Sequence, residues 1–180
     1  MRKDAPGHSS GFSLIELSVA LSVAAILLGL ALPTFQDTLR RQRTAAALHL
    51  LTTQLAQARN TAVTRGVPVT VCPSSGDGQC RSSPDWSAGW LLYRDPKRGD
   101  QPRTSGDVLR DIRHPVHASI RILSSSGRLR VRYQPDGRSG GSNLTLRVCS
   151  GEMLEGEIIV NNSGRARTRR PPPGTACTRS

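Results

Sequence analysis

The sequence predicts an α+β fold in which one long N-terminal helix packs on an antiparallel β-sheet domain. Two observations carry this expectation. An uncharged apolar stretch, residues 17–36, runs directly into an amphipathic segment, so helical periodicity extends to about Gly66. Beyond Gly66 the texture changes to short alternating runs separated by Gly, Pro, Ser and Asp, the pattern of strands joined by turns. The whole is 180 residues, room for one ordinary domain plus an extension. Its 25 Lys+Arg against 13 Asp+Glu give a formal net charge of +12, and all but Lys3 and Lys97 of those cations are arginine. Such an excess points to an anionic partner without saying which.

The apolar stretch contains twenty residues. At about 1.5 Å per residue, a helix of that length crosses a hydrocarbon core of roughly 30 Å. Arg2 and Lys3 supply a positive flank on the inner side. A secretory signal peptide is opposed by two details: the run is longer than a usual h-region, and Pro33-Thr34-Phe35 stands where a small-x-small cleavage site would be. Gly11-Phe12-Ser13-Leu14-Ile15-Glu16 places a Gly-Phe junction before the apolar run and a carboxylate five residues after the glycine. Here the sequence resembles the class III signal of type IV pilins and type II secretion pseudopilins.

That resemblance implies a leader, residues 1–11, removed by prepilin peptidase between Gly11 and Phe12 on the cytoplasmic side. It implies N-methylation of Phe12 and a transmembrane and assembly helix over 12–36. The chain would then be a single-pass inner-membrane protein with a periplasmic domain, later incorporated into a surface pilus with other major and minor pilins. An unpaired carboxylate near the start of a membrane helix is costly and usually functional; in the family it pairs with the N-terminal amine of a neighbouring subunit, which assigns Glu16 an assembly role. Pro33 falls where these helices commonly carry a kink-inducing proline. Loss of Arg2, Lys3 and Asp4 with the leader lowers the charge by one, from +12 to +11, so the basic character belongs to the mature chain.

Residues 37–66 form the amphipathic half of the helix. Leu48, Leu51, Leu55, Ala58 and Ala62 recur at three- and four-residue steps, with Arg40, Arg41, Arg43, Gln54, Gln57 and Arg59 between them. A narrow apolar stripe of this kind lies across a sheet. The β domain, residues 67–180, offers strands at 67–72, 89–93, 108–112, 119–123, 128–133, 144–149 and 157–160. In 128–133, period-two geometry sets Leu129, Val131 and Tyr133 against Arg128, Arg130 and Arg132. Those three arginines are expected to keep an exposed sheet face soluble, with Arg121 and Arg147 nearby if their strands pair.

Four cysteines in a domain outside the inner membrane favour two disulfides. Of three connectivities, Cys72–Cys80 with Cys149–Cys177 is favoured: one closes a short loop and the other ties the tail to a strand. A zinc site is the alternative, although no pair has Cys-x-x-Cys spacing. Cys72-Pro73, Asp77-Gly78, Cys80, Trp86, Gly89-Trp90, Tyr93-Arg94-Asp95, the strand 158–160 and Asn162-Ser163-Gly164-Arg165 together resemble the GspH/FimT group of minor pilins and pseudopilins. The resemblance implies a type IV pilin-like fold and a low-abundance subunit near a filament tip.

The C-terminus reads Gly164-Arg165-Ala166-Arg167-Thr168-Arg169-Arg170, and from Gly164 onward there are five arginines and no acid. Arginine is a planar, permanently charged, bidentate donor suited to phosphate. FimT-like minor pilins carry a Gly-Arg-x-Arg motif that contacts DNA, and Gly164–Arg167 matches it residue for residue. The resemblance therefore implies a loop binding the backbone of double-stranded DNA with little sequence preference, for uptake in natural transformation. Arg165 and Arg167 would be primary, with Arg169 and Arg170 assisting. The alternative is a FimU- or GspH-like structural subunit that primes pilus or type II secretion pseudopilus assembly. Aromatics are 3% of the chain, too few to interleave with the arginines as a base-stacking platform. His114 and His117 flank a proline without a third metal ligand, and the scattered serines lack base and acid partners, so neither enzyme, metal nor cofactor is expected.

Overall fold

The computed structural model describes residues 13–125 and 127–178. The expected processing pair, Gly11 and Phe12, lies outside the described residues. Helix α1 spans Leu14–Arg65 and continues through Pro33. It ends where Gly66 takes the left-handed conformation, φ +64°, which a residue with a Cβ adopts at a cost. The chain divides into two compact units, Met1–Leu39 and Arg40–Ser180. In the first, Leu17, Leu21, Ile26 and Leu28 are all exposed, and the helix is long and apolar enough to cross a membrane. Ser18 and Ser22 donate their hydroxyls to the carbonyls of Leu14 and Ser18, so neither leaves a polar group unsatisfied in an apolar stretch.

The second unit carries the core. Along α1, Ala47, Leu51, Leu55, Ala58 and Ala62 are buried, and Thr44 and Gln54 extend the buried stripe. Leu48 is half-buried beside this line and packs on Gly156; a Cβ there would sit 2.7 Å from its Cδ1. Eight strands follow: β1 Val69–Pro73, β2 Gly89–Arg94, β3 Val108–Arg113, β4 Ile120–Ser124, β5 Val131–Tyr133, β6 Leu144–Ser150, β7 Met153–Val160 and β8 Ala166–Arg169. They form two antiparallel sheets, ordered β3-β2-β1-β5 and β4-β6-β7-β8. Val71, Trp90 and Val131 of one sheet join Ile122, Leu146 and Ile158 of the other in a single cluster with the α1 stripe. Trp86 ties the sheets by donating its backbone N–H to the Ile122 carbonyl at 2.8 Å. Trp86, Trp90, Tyr93 and Tyr133, all the Trp and Tyr of the chain, are fully buried. These four aromatics therefore fill the interior, whereas Phe35 is exposed.

Three elements differ from expectation. Strand β5 is only three residues long because Arg128 folds back, donating to Arg130 O, Ser139 Oγ and Ser142 O, which holds 128–130 out of the ladder. Strand β7 starts at Met153, four residues early, since Gly151 and Glu152 make a tight hairpin turn from β6. Finally, β8 is a strand where a loop was expected.

The arginines expected on a solvated face are structural braces. Arg132 donates to Asp95 Oδ2 at 2.7 Å, Thr70 Oγ1 at 3.2 Å and Gly99 O at 2.6 Å, while Arg130 pairs with Asp100. Burial depresses the Arg128 pKa below its usual value. Arg121 and Arg147 belong to the paired strands β4 and β6 of the other sheet, so they share no strand pairing with β5.

Disulfides join Cys72 to Cys80 and Cys149 to Cys177, with Cα separations of 5.5 and 6.0 Å. The first closes a loop that is also held by Asp111, which accepts from Gly78 N and Ser74 Oγ, and by Gln101, which bonds Cys80 N and O. Chain entropy assigns this closure about 2.5 kcal/mol. Cys72→Ser with Cys80→Ser is expected to lower unfolding free energy by that amount in urea titration, with the fold retained because Asp111 and Gln101 still hold the loop.

Candidate functional site

The arginine-rich segment begins at a turn whose geometry depends on its glycine. After β7, Gly164 N donates to Asn161 O at 2.9 Å, and the Asn161 side-chain oxygen accepts from Arg165 N at 3.2 Å and Ser163 Oγ at 2.7 Å. Gly164 is buried at φ +75°, and a Cβ on it would lie 2.0 Å from the Gly137 carbonyl oxygen. That same oxygen accepts from Arg59 Nε of α1 at 2.9 Å. Ser139 N adds a bond to Asn162 O at 3.1 Å. The β5–β6 turn, the β7–β8 turn and α1 are thus clipped together at one carbonyl.

From this clip the chain enters β8, the edge strand of its sheet. Ala166 and Thr168 pair with the buried Val160 and Ile158, while Arg167 and Arg169 pair with Ile159 and Glu157 on the opposite face. Charge on an edge also prevents pairing with another chain. The expected arginines now separate into two pairs. Arg165 and Arg167 are exposed, and their side chains make no hydrogen bond or ion pair among the described residues. With Arg59, Tyr133 and Gly164 they line a groove of about 280 Å³. Arg169 and Arg170 line a second groove, about 290 Å³, together with Arg147 and Glu157.

Arg169 is engaged: its Nε and terminal nitrogen meet Glu157 Oε2 at 2.7 and 2.5 Å. Glu157, only 3% exposed, also faces Arg147 Nε at 3.6 Å. The register explains the grouping, since Arg147, Glu157 and Arg169 sit side by side on β6, β7 and β8. Sequence reasoning did not single out Glu157, Arg59 or Tyr133 as parts of this region. In the sequence Arg59 reads as a residue of the polar side of its helix, and Tyr133 as one position of an alternating strand. No local pattern marks them, because strand order and helix docking bring them there.

At the other end, Glu16 lies in the first turn of α1, where the helix dipole favours a carboxylate, and accepts from Ser13 N at 3.4 Å.

Residues 47–164 match the family described as Type II transport protein GspH, and residues 7–32 match the prokaryotic N-terminal methylation motif. Among curated proteins no match is found. Two crystal structures of the type IV minor pilin FimU from Pseudomonas aeruginosa PAO1 share the fold. One has a TM-score of 0.58 at 15% identity, covering 78% of this chain and 96% of that one. The other has a TM-score of 0.51 at 16% identity, covering 75% and 98%. The GspH match ends at Gly164, so the arginines of β8 lie beyond it. Because that match spans well over half of the chain, and the methylation motif accounts for the apolar start of the helix, this chain belongs to the GspH family of minor pilins and pseudopilins.

Proposed function

We propose that this chain is a minor pilin that binds double-stranded DNA through its phosphate backbone, for DNA uptake in natural transformation. The observation that carries the reading is the pair Arg165 and Arg167, exposed, uncompensated among the described residues, and held on a clipped turn and edge strand. Guanidinium groups presented from a fixed backbone bind phosphate bidentately and carry no sequence information of their own. Arg169 and Arg170 assist; Arg169 is two-thirds exposed and shares its charge with Glu157. With all Trp and Tyr buried, base stacking by those residues is not part of the scheme.

Family membership brings association with other pilins and processing by prepilin peptidase. On this reading the leader is cleaved after Gly11, Phe12 is methylated, Glu16 meets a neighbour's amine, and the chain moves from inner membrane to pilus. The fold shared with FimU favours a second reading, a structural subunit that primes pilus or type II secretion assembly without DNA contact.

Duplex binding by the full chain in non-ionic detergent micelles, measured by anisotropy across a salt series, tests the first reading. Four phosphate contacts give a log–log slope of roughly −3 to −4, and Arg165→Gln with Arg167→Gln reduces its magnitude by about 1 to 2, the lower figure where the two arginines share one phosphate. Unchanged affinity in that double variant removes the proposed site. In a deletion strain, lost DNA uptake with normal piliation supports the first reading and lost piliation the second.

A further inference from the structure

We propose that the groove between residues 52–59 of α1 and strand β8 is a pocket for a single phosphate group, with Arg59 and Tyr133 as binding residues beside Arg165 and Arg167. The inference rests on the DNA reading for the source of that phosphate, a backbone phosphodiester, but its chemistry is that of any phosphate anion.

Three arginines, Arg59, Arg165 and Arg167, are among the residues that line the groove, and no Asp or Glu is. Arg59 is fixed: its Nε is bonded to Gly137 O, which orients the rest of the guanidinium without using its terminal nitrogens. Such a group loses little freedom when it takes up an anion. Arg165 and Arg167 lack any side-chain tie among the described residues and can turn towards an anion in the groove. Gly164 and Ala166 also line the groove and add little bulk.

The independent observation is Tyr133. Its ring is fully buried in the core, yet its hydroxyl has no hydrogen-bond partner among the described residues and the residue lines this groove. A buried hydroxyl without a partner is destabilising, and tyrosine in a core usually finds one. Burial raises the phenol pKa well above its ordinary value, against the opposing charges of Arg59 and Arg128, so the group is a neutral proton donor at every working pH. A donor hydroxyl in a groove that three arginines line is complementary to a phosphate oxygen. The volume, about 280 Å³, lies at the small end of ligand pockets and suits a phosphate with its sugar rather than stacked bases.

The test uses the full chain in non-ionic micelles, titrated with a duplex and, separately, with inorganic phosphate, and compares wild type with Tyr133→Phe and Arg59→Lys. Tyr133→Phe removes only an unpartnered hydroxyl, so its melting temperature is expected to stay level or rise while phosphate and duplex both bind about tenfold more weakly. Opposite movement of stability and affinity is a signature that a purely structural hydroxyl does not give. If wild type binds the duplex and both variants bind phosphate and duplex as tightly, the pocket is overturned and the DNA reading survives. If wild type binds phosphate but no duplex, and Tyr133→Phe loses the phosphate, the pocket stands for free phosphate and the DNA reading falls. Binding of neither probe overturns both. Should Tyr133→Phe destabilise the fold, Arg59→Lys decides: it keeps the charge and loses the planar donor set, and undiminished phosphate binding rejects the pocket.

Discussion

Replacing Gly164 by alanine is expected to lower the melting temperature by roughly 10 °C, about 3 kcal/mol for a domain of this size. Two costs add. The left-handed φ of +75° disfavours any Cβ by about 1–2 kcal/mol. The Cβ would also fall 2.0 Å from the Gly137 carbonyl oxygen, which is backbone and cannot swing aside as a side chain could. Relief requires the β5–β6 and β7–β8 turns to separate, and that pulls Gly137 O away from Arg59 Nε. The damage is therefore shared among α1 and two turns. Ser163→Ala, one residue earlier and exposed, is the control: it loses a hydroxyl bond to Asn161 and is expected to move the melting temperature by no more than about 2 °C. Thermal unfolding by circular dichroism reads both, and a Gly164→Ala protein that melts with the wild type would show that the turns are not clipped.

Gly-Arg was legible at this position, but its steric reason was not. Glycine in a turn is ordinarily explained by φ alone, whereas the contact with Gly137 joins residues that strand pairing brings together. The same division runs through the fold. Periodicity marked the helix to its end at Gly66, because the α1 stripe is local and regular. Alternation marked seven strands, but it ran past the start of β5, where Arg128 bonds to groups up to fourteen residues away. It also missed β8, since Ala-Arg-Thr-Arg pairs with β7 through its backbone and carries little apolar signal. Charge counting treated all arginines alike. The register separates them into braces (Arg128, Arg130, Arg132), a compensated residue (Arg169) and an uncompensated pair (Arg165, Arg167).

Glu157→Ala is expected to move stability and DNA binding in opposite directions. The carboxylate is 3% exposed and stands between Arg147 and Arg169 on neighbouring strands. Removing one member of a buried ion group leaves its partners' charge desolvated, which costs about 3–5 kcal/mol when all partners are buried. Arg169 is 66% exposed and recovers water, and Arg147, 18% exposed, keeps its bond to the Thr178 carbonyl, so a loss of about 2 kcal/mol, below the fully buried case, is expected in urea unfolding. Glu157→Gln keeps an acceptor oxygen for Arg169 and should lose about half as much. Binding follows the opposite logic. Without Glu157, the Arg169 guanidinium is no longer neutralised and can meet a phosphate, which steepens the log–log salt slope of duplex binding by about 1. A destabilised variant that binds DNA more tightly at low salt is hard to explain by a merely solvated edge, because unfolding would weaken binding. An unchanged slope in both variants would confine Arg169 to its structural row and leave Arg165 and Arg167 as the arginines of β8 and its turn that face DNA.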